Sequence, residues 1–156
     1  MGDPRFGLGF DAHPRDVSRE LWLGGLLFDG EAGLAGHSDG DAVCHALADA
    51  LLGAAALGDV GMHFPEDDPA LAGISGADLL RRTVGLIGDE GLAPASCDVT
   101  VICERPPISP RRDDMRARLA EMLGIGVAHV SVKATRPEGL GLSGDGAGCL
   151  ALAVVA

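Results

Sequence analysis

Three side chains of the types that bind divalent metal ions lie in the first third of the chain. Asp11 and His13 are two residues apart, so an extended backbone would point both side chains to the same side. His45 follows Asp41 by four residues in a stretch with helical patterning, which would place these two on one helical face. One carboxylate and two imidazoles suit zinc or a similar ion, and three protein ligands leave a position open, as in catalytic sites. The alternative is a surface pair beside a core histidine, and the spacing alone leaves both interpretations open.

Polar residues just before this helix have more than one interpretation. Ser38, Asp39 or Asp41 could cap the helix by accepting a hydrogen bond from its first turn. Ser38 could equally contact a substrate. Asp41 could interact with the dipole of the first turn, or it could orient a metal ligand from outside the coordination sphere. The residue types alone leave these alternatives open.

The net charge and the composition limit the possible functions. The 156 residues carry a net charge of -11 and are 47% hydrophobic, which predicts a single domain over residues 1–156 with a sizeable core. Such an acidic protein is not expected to bind nucleic acid, because a phosphate backbone needs a basic surface. A phosphorylated substrate would need positive charge supplied locally, by metal ions or by a few basic groups.

The sequence also predicts a cytoplasmic location. The first ten residues include Asp3, Pro4 and Arg5 and contain no apolar signal region. The most apolar long stretch, 42–60, contains aspartates and a histidine, so it predicts a buried helix and no membrane partner. Four scattered cysteines without a C-x-x-C pair favour reduced thiols.

Hydrophobic periodicity and turn residues predict the elements that must position the candidate ligands. The expected strands are Phe6–Phe10, a bent pair over Glu20–Phe28, Asp98–Glu104, Val130–Thr135 and Cys149–Val155. The expected helices run from about Asp41 to Leu57, over Ala77–Glu90, and from an N-cap at Ser109 to about Leu123. An acidic segment over Asp59–Gly73 and a glycine-rich segment over Gly139–Gly148 are expected to be loops. This alternation predicts an α/β (α+β sandwich) fold in one domain, with helices packed on one face of a mixed β-sheet.

Seven short runs follow one another along the chain in a specific order. They are Gly9-Phe10-Asp11-Ala12-His13, His37-Ser38-Asp39-Gly40-Asp41, His45-Ala46-Leu47, Ala48-Asp49-Ala50-Leu51-Leu52-Gly53-Ala54, Gly58-Asp59-Val60-Gly61, His63-Phe64-Pro65 and Val132-Lys133-Ala134-Thr135. Together they are highly specific, and the chain resembles the 2-C-methyl-D-erythritol 2,4-cyclodiphosphate synthase family over nearly its whole length. The resemblance implies a metal-dependent cyclase, a phosphorus–oxygen lyase of the non-mevalonate isoprenoid pathway. Its substrate would be 4-diphosphocytidyl-2-C-methyl-D-erythritol 2-phosphate, whose 2-phosphate attacks the β-phosphate to give the cyclic diphosphate and CMP.

The resemblance also implies which residues bind metal and substrate. Asp11, His13 and His45 would hold one tightly bound divalent ion, zinc first, with manganese or cobalt as alternatives. Glu138 would help hold a second ion, magnesium or manganese, together with the substrate. The implied catalytic residues are His37, Arg136 and Glu138. The implied substrate-binding residues are Asp11, His13, His37, Ser38, Asp59, Val60, Gly61, Phe64, Pro65, Glu66, Asp67 and Asp68. The implied nucleotide-binding residues are Cys103, Glu104, Arg105, Pro106, Pro107, Ile108, Ser109, Ala134, Thr135, Arg136 and Glu138.

Family members are homotrimers with each active site between neighbouring subunits, so the resemblance implies the same assembly here. Some positions depart from the usual family pattern. Pro107 stands where a lysine is common, and Arg136 replaces a threonine beside the phosphates. In the glycine-rich loop, Leu142 replaces a phenylalanine and Asp145 replaces an arginine of the central trimer cavity. Asp145 would repel an isoprenoid diphosphate in that cavity.

Two other functions fit the same residues. A zinc-dependent phosphohydrolase would use the open metal position to activate water. A non-catalytic trimer would instead bind an isoprenoid or a partner protein in its central cavity. The products formed from the cytidyl substrate distinguish the cyclase from the hydrolase, because hydrolysis yields a linear phosphate.

Overall fold

Five strands form one mixed β-sheet in a computed structural model that describes residues 2–141 and 144–156. The strands are β1 (Arg5–Leu23), β2 (Leu26–Leu34), β3 (Pro94–Cys103), β4 (Val130–Thr135) and β5 (Gly146–Val155). Their order in the sheet is β2-β1-β5-β3-β4. Strands β3 and β4 are parallel, and the other neighbouring strands are antiparallel. The prediction of a mixed sheet is confirmed.

Four α-helices accompany the sheet among the described residues. They are α1 (Ala42–Ala54), α2 (Val60–His63), α3 (Gly76–Asp89) and α4 (Arg112–Leu123). Short 3₁₀ turns cover Pro69–Leu71, Ser109–Arg111 and Val127–His129. In the described part of the chain, no helix is both long and apolar enough to cross a membrane.

Some predicted boundaries are wrong for identifiable reasons. The segment over Asp59–Gly73 is not irregular throughout, because Asp59 caps α2 by accepting from the Met62 N–H and Asp68 caps the following 3₁₀ turn. Helix α1 ends at Ala54, and two residues later Ala56 adopts a left-handed φ of 59°. Ser109 opens a 3₁₀ turn and does not cap the helix that follows it.

The first strand continues far beyond its predicted end. It pairs with β5 from Arg5 to Pro14 and then with β2 from Arg15 to Leu23. The β1–β2 connection is the pair Gly24–Gly25, both with positive φ, which glycine adopts without steric cost. The bent strand pair predicted around these glycines is therefore a hairpin.

Helix α1 packs across the sheet at unusually close range. A Cβ atom at Gly7 would lie 1.8 Å from the Ala50 carbonyl oxygen, and one at Gly9 would lie 1.9 Å from the Ala46 carbonyl oxygen. Only glycine allows this contact, which fixes β1 against α1 two residues before Asp11. The close contact therefore sets the distance between the two elements that carry the candidate ligands.

Within residues 2–141 and 144–156, no helix covers the opposite face of the sheet around β1 and β5. Its apolar side chains include Phe6, Leu8 and Phe10 of β1, which are 64%, 67% and 50% exposed. Leu150 and Leu152 of β5 pair with Phe10 and Leu8 and are 41% and 40% exposed. Helices on one face of the sheet are confirmed, and the other face carries a contiguous apolar surface.

Candidate metal centre and active site

The three predicted metal ligands meet at one point. Asp11 and His13 lie two residues apart on β1, and His45 lies on α1. The Asp11 Oδ2 atom is 2.6 Å from His13 Nε2 and 3.3 Å from His45 Nδ1, and the two nitrogens are 3.2 Å apart. In a tetrahedral zinc site with bonds of about 2.0–2.1 Å, ligand atoms lie about 3.3 Å apart. The ligand atoms thus already converge to nearly the spacing that a zinc ion requires.

The charge state of Asp11 also suits a metal ligand. Its Oδ2 atom is buried and has no hydrogen bond of acceptable geometry. Burial raises the pKa of the Asp11 carboxyl, but contacts from His13 and His45 outweigh this and lower it to about 2. The carboxylate is therefore ionised at neutral pH, as a ligand to a divalent cation must be. A buried, ionised oxygen without a proper donor is the kind of atom that a metal ion satisfies.

The outer nitrogen of His45 contacts a serine. Its Nε2 atom lies 3.0 Å from Ser38 Oγ, and that oxygen also accepts from the Gly40 N–H at 3.1 Å. When His45 Nε2–H donates to Ser38, Nδ1 is left as a lone pair facing Asp11, which is the tautomer that binds metal. The sequence indicated Ser38 as a cap or a substrate contact, and this contact with His45 was not among the predictions.

Asp41 acts on the backbone. Its Oδ1 atom accepts from the Cys44 N–H at 3.0 Å and so caps α1, and the same atom accepts from the Gly24 N–H at 2.8 Å. Its Oδ2 atom accepts from the Gly25 N–H at 2.8 Å. None of its hydrogen bonds in the described structure reaches a metal ligand, so the capping alternative holds and a direct orienting contact is absent there. Asp41 therefore connects the start of α1, the helix that contains His45, to the β1–β2 hairpin.

A cavity of about 480 Å³ opens in front of the three ligands. The substrate-binding residues predicted between Asp11 and Glu66 all line it, whereas Asp67 and Asp68 do not. Its walls come from the loop before α1, from α2 and from the apolar residues Ile74 and Leu79 near the start of α3. The cavity is large enough to bind a small molecule beside the metal ligands.

Two segments meet at the cavity through a contact between side chains. His37 Nε2 lies 3.3 Å from Glu66 Oε2, and both side chains are mostly exposed. The His37 carbonyl oxygen accepts from the Gly73 N–H at 3.2 Å, which joins the same two segments through the backbone. His37 therefore stands where a molecule in the cavity would meet it.

Asp49 also lines the cavity and was not among the predicted site residues. It follows His45 by four residues on α1, so helical spacing could have indicated it. Its Oδ1 atom accepts from the Val60 N–H at 2.7 Å and ties α2 to α1. Burial raises the pKa of the Asp49 carboxyl above its usual value.

The predicted nucleotide-binding residues lie elsewhere. Cys103 ends β3, Ala134 and Thr135 end the parallel strand β4, and the other residues of the set follow in the segments after these strands. Among the described residues, none of this set lines the cavity, and neither does Glu138. One chain therefore does not bring the two predicted halves of the site together.

Of the two residues singled out in the glycine-rich loop, Leu142 lies outside the described residues. Asp145 is exposed, and its carbonyl oxygen accepts from the Arg15 N–H at 2.7 Å. The predicted repulsion between Asp145 and an isoprenoid diphosphate stays a prediction.

The fold and the site define an α/β protein in which an Asp-His-His group that could hold a metal ion lies at a cavity. A family model described as the YgbB family matches residues 4–156. A 2-C-methyl-D-erythritol 2,4-cyclodiphosphate synthase from Symbiobacterium thermophilum is 51% identical over 95% of this chain and 94% of its own length. This chain therefore belongs to the 2-C-methyl-D-erythritol 2,4-cyclodiphosphate synthase family, as its sequence motifs indicate.

Two further proteins place the chain within the family. A bifunctional enzyme IspD/IspF from Anaeromyxobacter sp. is 49% identical over 95% of this chain, which spans 38% of that larger protein. A solved structure of 2C-methyl-D-erythritol-2,4-cyclodiphosphate synthase in its CDP-bound form superposes with a TM-score of 0.90. That structure is 32% identical, and the match covers 97% of this chain and 100% of the other. The predicted fold class is thereby confirmed.

Proposed function

We propose that this chain converts 4-diphosphocytidyl-2-C-methyl-D-erythritol 2-phosphate to 2-C-methyl-D-erythritol 2,4-cyclodiphosphate and CMP. An oxygen of the 2-phosphate forms a bond to the β-phosphorus, and the bond from that phosphorus to the oxygen bridging to the α-phosphate breaks. The electron pair leaves with CMP. The observation that carries the proposal is the convergence of Asp11, His13 and His45 at a cavity lined by His37 and Ser38.

This reaction needs no protein nucleophile, so the task of the chain is to bind and align its substrate. His37 projects from its loop over the cavity and can contact the attacking phosphate. Asp59 uses Oδ1 to cap α2, which leaves its other oxygen able to accept a hydrogen bond from an erythritol hydroxyl. Phe64 and Pro65 supply apolar walls that limit the access of water.

Asp11, His13 and His45 would hold one divalent ion, with zinc the first candidate and manganese or cobalt the alternatives. Two imidazoles and one carboxylate at the observed separations support zinc. When bound, such an ion neutralises charge on a substrate phosphate. Glu138 would help hold magnesium or manganese beside the diphosphate, because such ions prefer few carboxylates and several phosphate oxygens.

The cytidine would bind to the loops after β3 and β4. This set comprises Cys103, Glu104, Arg105, Pro106, Pro107, Ile108, Ser109, Ala134, Thr135 and Arg136. Arg136 adds one cation there, in a protein of net charge -11. Because these loops do not line the cavity of their own chain in the described structure, we infer that a neighbouring subunit supplies them to each active site.

A homotrimer would satisfy this requirement and cover the exposed apolar face of the sheet. Phe6, Leu8 and Phe10 form the centre of that face with their partners on β5. Exposed apolar surfaces of this kind on one face of a domain mark sites of association. Copies of this chain arranged around a three-fold axis would bury the face and pair each metal centre with a nucleotide loop. The free, buried thiols support a reducing compartment such as the cytoplasm.

Incubation of the protein with the cytidyl substrate and Mg²⁺ tests the proposed reaction. Mass spectrometry should detect CMP and the cyclic diphosphate in equal amounts. A linear phosphate product would instead identify a hydrolase, and an unchanged substrate would contradict both enzymes. The Glu138→Gln variant should lose turnover while it retains the metal held by the histidines, since its carboxylate is assigned to the second ion.

A further inference from the structure

We propose that Arg19 is a positioning residue that holds the His37–Ser38 loop and, through Ser38, the ring of His45. The inference deepens the proposed function, on which it rests for the meaning of the site. Arg19 was not among the predicted site residues. It lies on β1, six residues beyond His13 and outside the cavity lining.

The guanidinium of Arg19 holds the loop on both sides of His37. Its Nη1 atom donates to the Gly36 carbonyl oxygen at 2.8 Å, and its Nη2 atom donates to the Ser38 carbonyl oxygen. A planar group with several N–H donors can satisfy two carbonyls that lie two residues apart. The loop is thereby fixed at its backbone, while the His37 side chain remains free to project over the cavity.

A bulge in β1 aims Arg19 at this loop. Asp16 pairs with Gly33 and Glu20 with Ala32, so Val17, Ser18 and Arg19 have no partners on β2. Such bulges redirect side chains and often lie beside active sites. Arg19 is therefore the last residue of the stretch of β1 that departs from regular pairing with β2.

Local contacts stabilise the bulge. The Asp16 Oδ1 atom accepts from the Ser18 N–H at 2.9 Å and from the Ser18 hydroxyl at 2.6 Å. Opposite it, a Cβ atom at Gly33 would lie 2.3 Å from the Glu20 carbonyl oxygen and 2.6 Å from that of Arg19. Only glycine lets β2 approach the bulged backbone this closely.

The contacts continue from Arg19 to the metal ligands. Ser38 is held through its carbonyl by Arg19, and its hydroxyl lies 3.0 Å from His45 Nε2. The other nitrogen of that ring faces Asp11 at 3.3 Å. Partners on the far nitrogen of a metal-ligating histidine set the tautomer and the ring orientation, and their loss typically weakens metal affinity about 10–100-fold. Releasing Ser38 from Arg19 should therefore weaken metal binding without removing a ligand.

The test compares Arg19→Ala with Arg19→Lys and with Arg82→Ala, a control that removes an exposed arginine from α3. Zinc affinity is measured for each variant by competition with a chelator, and kcat and KM are measured with the cytidyl substrate. We expect Arg19→Ala to bind zinc about tenfold more weakly. Its kcat/KM should fall at least as far, Arg19→Lys should lie between it and the parent, and Arg82→Ala should match the parent.

Chemical rescue of Arg19→Ala by guanidinium distinguishes a positioning role of Arg19 from a contribution to the stability of the fold. Millimolar guanidinium should restore much of the zinc affinity of Arg19→Ala, whereas the same concentration of sodium chloride should not. Asp16→Ala retains Arg19 but removes the contacts that close the bulge, so it should show a smaller loss in the same direction. Parental zinc affinity in Arg19→Ala, or a loss that guanidinium does not reverse, would overturn the proposal. The zinc measurements decide this even if the parent fails to turn over the substrate, an outcome that would overturn only the proposed reaction.

Discussion

Asp11 shows at the level of one residue how the strand geometry prepares a metal site. The alternation of β1 places its carboxylate and the imidazole of His13 on one side, and α1 brings His45 to the same point. The carboxylate remains ionised because the two imidazoles lower its pKa to about 2 despite burial, which by itself raises the pKa. A site of this kind should depend on all three ligands.

Replacing His45 by alanine tests that dependence. We expect His45→Ala to lose its tightly bound metal, with affinity lowered by more than about a hundredfold, because two ligands remain where three are needed. Elemental analysis after exhaustive dialysis measures the metal content. His129→Ala is the matched control, since His129 is exposed at the turn before β4 and lies outside the ligand triad. A full equivalent of metal retained by His45→Ala would contradict the assignment.

The cysteines should be chemically inert in the folded protein. Cys44, Cys97, Cys103 and Cys149 are all buried. Burial raises the pKa of each thiol, that of Cys97 to about 12, so few thiolates exist at pH 8. We expect a thiol reagent at pH 8 to label the native protein at least about a hundredfold more slowly than the denatured protein. Rapid labelling of one site without denaturant would show that the corresponding thiol is accessible.

Strand alternation could predict that Asp11 and His13 point to one side of β1. That His45 joins them was implied by the family resemblance, because the meeting of α1 with β1 depends on tertiary packing. The contact between Ser38 and His45 could not be predicted in this way, because it depends on how a loop lies against a helix. The proposed role of Arg19 could not be predicted from the sequence either. The bulge that directs its side chain requires the close approach of Gly33 from another strand.

At the level of elements, capping side chains explain which helix starts could be predicted from the sequence and which could not. Asp41 and Ser75 each accept from the third residue of the helix that they precede. Asp41 was among the predicted caps of α1, whereas Ser75 was not predicted as the cap of α3. Asp59 and Asp68 cap short elements in the same way, but prolines and acidic residues around them favoured a loop. Elements of three or four residues lack the periodicity that identifies longer helices.

The contact between β1 and α1 should be intolerant of even one added methyl group. We expect Gly7→Ala to lower the free energy of unfolding by about 3 kcal/mol, because its Cβ would overlap the Ala50 carbonyl oxygen. Gly53→Ala is the opposite control within α1. Its Cβ would meet nothing within 4 Å, and the change should stabilise the helix by up to about 1 kcal/mol. Denaturant unfolding of both variants measures the difference, and a neutral Gly7→Ala would contradict the close packing.

At the level of the whole molecule, the two halves of the predicted site lie apart in one chain. His45 belongs to the cavity half, and Glu138 follows β4 outside that cavity. In the proposed trimer, a cavity from one subunit would meet the loops of the next. Defects in the two halves should then complement each other.

Mixing His45→Ala chains with Glu138→Gln chains tests this arrangement. After equal mixing and random exchange, about a quarter of the sites in the trimers would combine two intact halves, so about a quarter of the parental activity should return. Mixing His45→Ala with His13→Ala chains is the control, because both changes damage the same half. Absence of recovery, with subunit exchange demonstrated by mass, would mean that each chain carries a complete site.

The candidate metal centre lies where the long strand β1 passes from a central position in the sheet to a two-stranded ribbon. Up to Pro14 the strand pairs with β5, which is itself held on its far side by β3, and beyond that it belongs to a two-stranded ribbon with β2. Backbone amides in such a ribbon exchange with solvent through local openings that do not disturb a central strand. His13 lies at the boundary, so an ion bound to it and to His45 would resist each opening of the ribbon. The backbone amides of the ribbon should then exchange more slowly in the metal-bound protein than in the metal-free protein.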